Sequence, residues 1–329
     1  MSSVDVSQVP ALIAQDLFPV MFQTYEAQPQ VAPQICEMMP TDGSMYGTKG
    51  TVIGGLGAPK IVLDGEEINA DTFNQAYTWQ CKIVRLARRV DIPKRMMDGS
   101  DAAAKVGSLL AQHGKSWGQS FAQTKEERVA AVFQRGTIAA GDKSVFDGSF
   151  PDNADPNIGF IFDGKPFFAA TGNGHVLSAN SATPFNLTAA LALDSTGLQT
   201  VLTAMRTTNA IDDRGQKVMI MPKLLVVPPG LEYTAKTLLN SALVPESANN
   251  GINTLQGMLA PVVWRYLTDD TDAWFVGTGE GVRVYDSGAP EIETQYDAKS
   301  QVLSVVAYSY HGVAVTDWRG WYAANKATS

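Results

Sequence analysis

Three histidines (His113, His175 and His311) and two cysteines (Cys36 and Cys81) make up the chain's stock of imidazole and thiol chemistry. None of the five stands at a metal-ligand spacing. A tetrahedral ion is closed by side chains that reach it together, as in H-E-x-x-H on one helical turn or paired C-x-x-C, and neither motif occurs. His113 falls on an apolar helical stripe and reads as a hydrogen-bonded core histidine. His175, in Thr171-Gly-Asn-Gly-His175, reads as a loop residue whose neighbouring glycines supply turn geometry. No G-x-S-x-G sets a serine on a strained elbow, so the esterase and protease pattern is missing. Gly277-Thr-Gly279-Glu-Gly281 has the glycines of a phosphate loop without its continuation. Such a loop must open a helix whose N-terminus faces the phosphate, and Val282-Arg-Val-Tyr285 reads as a strand. Asp269-Asp270-Thr-Asp272 lacks the glycine and glutamate offsets of a calcium loop and reads as a solvated acidic turn. No cofactor and no metal are expected.

The charge cluster that stands out is Lys82, Arg85, Arg88, Arg89, Lys94 and Arg95. On one strand, alternate residues face opposite sides, so the six would divide three and three rather than track a phosphate backbone. Three roles stay open: pairing with acidic residues of another copy (Asp64, Glu66, Glu67, Asp71), contact with DNA, or plain solvated surface. The chain as a whole is acidic, with 33 Asp and Glu against 25 Lys and Arg and a net charge of −8. That balance argues against tight non-specific binding to nucleic acid. The two distant cysteines form no disulfide framework and suit a reducing cytoplasm. The opening MSSVDVSQVPALIAQDLF has no basic leader and carries Asp5 and Asp16, so it reads as no signal peptide. No apolar run approaches the ~20 residues of a membrane helix, so no membrane partner is expected.

Any surface these charges form must be positioned by the elements around them. At 329 residues, 45% hydrophobic and 18% charged, the chain can bury a sizeable core in about two domains. Prolines at 10, 19, 29, 33 and 40 predict only a short helix near Ala11–Gln23, with Leu12, Gln15, Phe18 and Phe22 on one face. Residues 46–75 are glycine-rich and then acidic, with β-prone runs at Thr51–Ile53 and Lys60–Leu63; they read as an extended ribbon with little core. Ala76–Ile92 alternates as a further strand. From Asp101 to Arg135 no proline intervenes, and Val106, Leu110, His113, Trp117, Phe121, Thr124, Val129, Val132 and Phe133 step along one face. This predicts a helix of roughly 50 Å, capped by Ser100 or Asp101 and closed by Gly136.

Beyond it, Phe160–Phe162 and Pro166–Phe168 flank Asp163-Gly164 as a hairpin. Leu198, Val201, Leu202 and Met205 mark a helix over Ser195–Thr208. A strand over Val218–Val227 and a helix over Gly230–Leu243 follow. Strands at Val262–Tyr266, Trp274–Val276 and Val282–Tyr285 are expected to share one sheet, and Val302–Tyr310 and Gly312–Asp317 close the series.

One stretch carries a resemblance. In Pro222–Val244 (PKLLVVPPGLEYTAKTLLNSALV) a buried strand stops at Pro228-Pro229 and a helix follows at once. It continues with Asn253-Thr-Leu-Gln-Gly257, Pro261-Val-Val-Trp264 and Asp272-Ala-Trp274-Phe275-Val276. This series resembles the second half of the major head subunit of Mu-like tailed phages, over about residues 160–325, with the N-terminal part similar in outline.

The resemblance implies an α+β chain of the Hong Kong 97-type capsid fold. Residues 1–45 would be an N-terminal arm and 46–92 an extended loop with flanking strands. A peripheral domain would hold 93–187 and 293–329 with the spine helix at 101–135, and an axial domain 188–292. It implies a shell protein and not an enzyme, forming pentamers and hexamers of an icosahedral capsid around phage double-stranded DNA, without sequence-specific contact. Assembly would take place in the bacterial host cytoplasm, with separate scaffold, portal and decoration proteins as partners. Subunit-interface candidates are Lys49, Lys60, Asp64, Glu66, Glu67, Arg85, Arg88, Arg89, Asn249 and Asn250. Some shells of this kind are cross-linked by a lysine–asparagine isopeptide bond; no motif here matches it, and non-covalent closure is expected. Two other classes stay open, an encapsulin-type nanocompartment shell and an α/β enzyme.

Overall fold

A computed structural model describes residues 9–41, 47–53, 61–62, 64, 75–97, 102–137, 165–175, 183–212, 215–243, 251–268 and 271–327. The chain opens with α1 (Val9–Glu26), the short α2 (Ala32–Ile35) and strand β1 (Glu37–Pro40). Next come β2 (Gly47–Ile53), β3 (Gln75–Lys82), β4 (Val84–Pro93), α3 (Lys94–Met97) and the long α4 (Ala102–Gln134). The second half holds β5 (Leu187–Thr188), α5 (Ser195–Thr207), β6 (Leu224–Val227), α6 (Glu232–Asn240), β7 (Ala260–Val263) and β8 (Trp274–Gly277). It ends with β9 (Val282–Asp286), β10 (Glu291–Asp297), β11 (Val302–Val315) and β12 (Trp321–Ala324).

Two five-stranded sheets and a two-stranded ribbon carry the architecture. The first sheet is organised on the 14-residue β11. Antiparallel β4 lies along one side of β11, antiparallel β10 and β9 lie along the other, and β1 pairs in parallel outside β9. The second sheet runs β5-β12-β8-β6-β7 and buries Leu225 and Val227 against α5 and α6. The ribbon is β2 against β3, and its base is held where Trp79 and Cys81 pack with Tyr285 and Ala314.

α4 is the beam that joins these parts. Its middle packs Trp117, Phe121 and Ala122 against Met21 and Tyr25 of α1 and Leu303, Val305 and Ala307 of β11. α1 comes so close that a Cβ on Gly118 would stand 2.5 Å from the Met21 carbonyl oxygen. Its C-terminal end runs into the junction of both sheets. There the Phe133 ring meets Trp321 at 4.8 Å and Trp264 and Phe275 at 5.6 Å, all edge-on.

Several sequence expectations change. α1 runs through Pro19 and buries Met21 and Tyr25, while Phe18 stays exposed and stacks on Phe22. The Ala76–Ile92 run breaks at Ile83 into two strands that serve different sheets. β9 joins the first sheet rather than β7 and β8, and β12 takes a place in the second. The expected strand over Val218–Val227 shrinks to Leu224–Val227, because Val218, Met219 and Met221 are exposed outside the sheet. Val302–Val315 is one continuous strand.

His113 is exposed, whereas His175 is fully buried, stacked 4.2 Å from Trp318 with Nε2 3.1 Å from the Asn186 Oδ1. Gly136 serves close packing: a Cβ there would meet the Phe168 ring at 2.6 Å. Pro166–Phe168 forms a bend with both phenylalanines buried, not a hairpin arm, and Phe160–Gly164 lies outside the described residues. So do the expected caps Ser100 and Asp101, Lys60 and Leu63 at the ends of the Lys60–Leu63 run, and Asp269 and Asp270.

Candidate assembly surface

The outer face of the first sheet is open. Along β11, Leu303, Val305, Ala307 and Ser309 are buried, while the alternating Ser304, Val306, Tyr308 and Tyr310 are only half-buried on the other side. β10 repeats the alternation with exposed Glu291, Glu293, Gln295 and Asp297 against half-buried Ile292, Thr294 and Tyr296. On β4, Arg85, Ala87, Arg89 and Asp91 are exposed on the outer face. Arg88 shares the opposite face with Leu86 and Val90 and is exposed as well. Register sets Glu293 level with Val306 and Arg89, and Glu291 level with Tyr308 and Ala87.

Charge therefore changes sign across the sheet. The Arg85 guanidinium stands 4.3 Å over the Tyr308 ring, and the Tyr308 hydroxyl donates to the Glu291 carboxylate at 3.0 Å. That acceptor, with some burial, raises the Tyr308 pKa. Asp91 accepts from Arg89 at 2.6 Å and from the Ser304 hydroxyl at 2.6 Å, which holds its carboxyl below the ordinary range. Asp297 is likewise held low, by the Ser300 hydroxyl and the Lys299 N–H.

A second group of charges lies beneath the N-terminal helices, on the turn Lys125–Arg128 of α4, where Lys125, Glu126 and Arg128 are buried. The Lys125 ammonium donates to the Asp286 carboxylate at 2.6 Å, the Gly288 carbonyl at 2.5 Å and the Tyr25 hydroxyl at 3.1 Å, which uses all three of its protons. Burial pulls the Lys125 pKa down and Asp286 opposes that.

Glu126 faces two other parts of the chain. Its Oε1 accepts the backbone N–H groups of Val31 and Ala32 at 2.9 and 3.0 Å, and its Oε2 accepts the Trp264 indole N–H at 2.9 Å. α2 has no side-chain cap of its own, so Glu126 supplies one from another helix. Burial raises the Glu126 pKa, and these hydrogen bonds draw it back. His311 lies buried on β11 with its pKa well below the ordinary value, first through burial and then through the cations of Arg128 and Lys125. Its Nδ1 has no hydrogen-bond partner among the described residues.

Of the interface candidates from sequence, the structure places Arg85, Arg88 and Arg89 together on β4 and leaves all three exposed. Lys82 ends β3 and Lys94 and Arg95 open α3, so the basic run is not one strand. Lys49 sits on β2 opposite Gln80, and Asp64 is exposed in a turn. Lys60, Glu66, Glu67, Asn249 and Asn250 lie outside the described residues. Sequence reasoning missed the acidic β10 and the Lys125–Glu126 anchor. The signal for the anchor was available: Lys125-Glu-Glu-Arg128 interrupts an otherwise apolar helical stripe.

Among the described residues no group of three or more His, Cys, Asp or Glu could hold a metal ion. A surface depression of about 320 Å³ lies beside Met219, Met221, Asp317 and Arg319.

A family profile described as phage capsid protein matches residues 80–324. No curated protein sequence is detectably similar to the chain. Similar solved structures include the capsid of the cyanophage P-SCSP1u, 14% identical with a TM-score of 0.51, covering 92% of this chain and 89% of that one. Another is the capsid of Ralstonia phage GP4, 13% identical with a TM-score of 0.51, covering 88% and 86%. At such identities the likeness is one of fold.

Proposed function

This chain belongs to the phage capsid protein family, and we propose, from that premise, how it builds a shell. It is a major capsid protein with an α+β capsid fold that assembles into an oligomeric shell. Neither a nanocompartment nor an α/β enzyme is favoured by the family match. In our reading, it resembles the head subunits of Mu-like tailed phages. Heterologous contacts close copies into pentamers and hexamers, and contacts between rings close an icosahedron. Each contact can be weak, because a subunit touches several neighbours and effective concentration multiplies them.

The shell encloses phage double-stranded DNA without reading its sequence, in keeping with a net charge of −8. It forms in the bacterial host cytoplasm, with scaffold, portal and decoration proteins supplied separately. The arm (1–45), extended loop (46–92), peripheral domain (93–187 and 293–329) and axial domain (188–292) are proposed divisions, interlaced through β9 and β12. Lys49, Lys60, Asp64, Glu66, Glu67, Arg85, Arg88, Arg89, Asn249 and Asn250 are proposed contact residues.

The observation that carries this reading is the β2–β3 ribbon. Two strands alone are marginal in water, the ribbon forms a sheet of its own, and Ile61 in its connection is 95% exposed. Such a segment gains stability from a neighbour. The purified chain should therefore run far above its 35.3 kDa as rings, shells or sheets. A sharp monomer by light scattering, across concentrations and salts and with scaffold added, would refute the shell reading for this chain alone.

A further inference from the structure

β4 and β10 are the two edges of the three-stranded part of the first sheet, each pairing only with β11 among the described residues. An unpaired strand edge is a ready site for another chain unless charge guards it. Here the two edges carry opposite charge. On β10, Glu291, Glu293 and Asp297 give −3 with no cation on the strand. On β4, Arg85, Arg88 and Arg89 against Asp91 give 3 − 1 = +2. Arg85 and Arg89 are four residues apart, as are Glu293 and Asp297, and four residues on a strand span about 13 Å. Both strands run antiparallel to β11 and so point the same way.

We propose that the acidic β10 edge of one copy lies against the basic β4 edge of the next copy. The inference rests on the shell reading and names one of its contacts. The charge pattern favours a head-to-tail contact, because a symmetric meeting of two β4 edges or two β10 edges would set like charges together. It also gives the arginines a partner other than Asp64, Glu66 and Glu67.

A charge exchange tests it on the full chain. One variant carries Glu291→Lys with Glu293→Lys, and so has two basic edges. A second carries Arg88→Glu with Arg89→Glu, and has two acidic edges. Each alone should form about tenfold fewer closed particles than the parent, or worse, with an unchanged melting temperature. Mixed in equal amounts, or combined in one chain, they should restore particles, which a merely structural injury would not allow. The singles Glu293→Lys and Arg89→Glu, both at exposed positions on the outer face, stand in should a double variant misfold. Normal particles from each variant alone would overturn the proposal, as would failure of both the mixture and the combined chain with folding intact. A parent that never assembles would sink the shell reading itself and is thereby told apart.

Discussion

Lys125 and Glu126 beneath the N-terminal helices, and Arg85, Arg89, Glu291 and Glu293 on the open sheet, are the same kinds of residue in opposite circumstances. The Lys125 side chain is 7% exposed and that of Asp286 13%, and every ammonium proton has an acceptor within the chain. The Arg89 side chain is 63% exposed and its partner Asp91 42%. Charge taken from water must be met at once by fixed partners, or the fold does not form. Charge left in water costs the monomer nothing and stays available to another molecule. The first group therefore acts on folding and the second on association, and substitutions that separate the two readouts test the distinction.

The largest effect belongs to Lys125→Ala. It strands the Asp286 carboxylate, largely buried, beside the Tyr25 hydroxyl. Removing one partner of a buried pair costs about 3–5 kcal/mol, much of a domain stability of about 5–15 kcal/mol. Urea unfolding should show that loss, whereas a cost below about 1 kcal/mol would mean that the pair is effectively solvated. Glu126→Ala should cost about as much, since the Ala32 N–H and the Trp264 indole N–H are left buried without an acceptor, at about 1–3 kcal/mol each. Proteolysis near Val31 should rise in this variant, because the capped start of α2 is what it loosens.

Gly118→Ala comes next. The new methyl would meet backbone of α1, which cannot rotate away, so the helices must part at a cost of about 1–3 kcal/mol. Alanine's better helix propensity returns about 1 kcal/mol. A net loss in urea unfolding is expected, and a net gain would show that α1 is free to shift along α4.

How much of this was legible in sequence follows from what each feature depends on. α4 and α5 declare themselves because Leu198, Val201, Leu202 and Met205, or Trp117 and Phe121, repeat at the period of the helix they build. β10 hides, since its outer residues are acids in water and its inner ones, Ile292, Thr294 and Tyr296, are half-buried at an edge. Sheet membership hides for a different reason. β9 and β12 are both short, and only pairing across the chain, Val313 with Val284 and Phe275 with Ala323, sends them to different sheets. The basic run was visible as composition, but not as geometry, because Ile83 breaks it. The anchor at Glu126 joins residues 94 and 138 positions away in sequence, which no local pattern reports.

A further test uses pH. His311 faces Lys125 and Arg128 from α4, with Glu126 near and Asp286 opposite it in the strand register. Its folded pKa is depressed, so its contribution to stability is fully present above the ordinary value of about 6.5. That contribution is lost as pH falls toward the folded value, at about 1.4 kcal/mol per pH unit. Glu126 has a raised pKa and runs the other way, gaining stability as pH falls. The informative quantity is therefore the difference between parent and His311→Gln. Melting between pH 7 and 5 should fall more steeply in the parent, and equal slopes would show that the fold leaves the imidazole pKa at its ordinary value.

The smallest expected effect on stability is the sharpest for the comparison. Glu293 is exposed on β10, level with Val306 of β11, and its strand neighbours Glu291 and Asp297 carry the same sign. Glu293→Ala removes no buried partner and slightly relieves repulsion along β10, so the melting temperature should stay within about 2 °C of the parent. Association should still change, because the contact is repeated at every copy of the shell and exposed ion pairs weaken as salt screens them over about 10 Å at 0.1 M. The variant's particle yield should vary less with salt than the parent's, since it has less charge to screen. The opposite pattern, a lower melting temperature with an unaltered salt profile, would place Glu293 with Lys125 among the groups that hold the fold and would erase the division between the two regions.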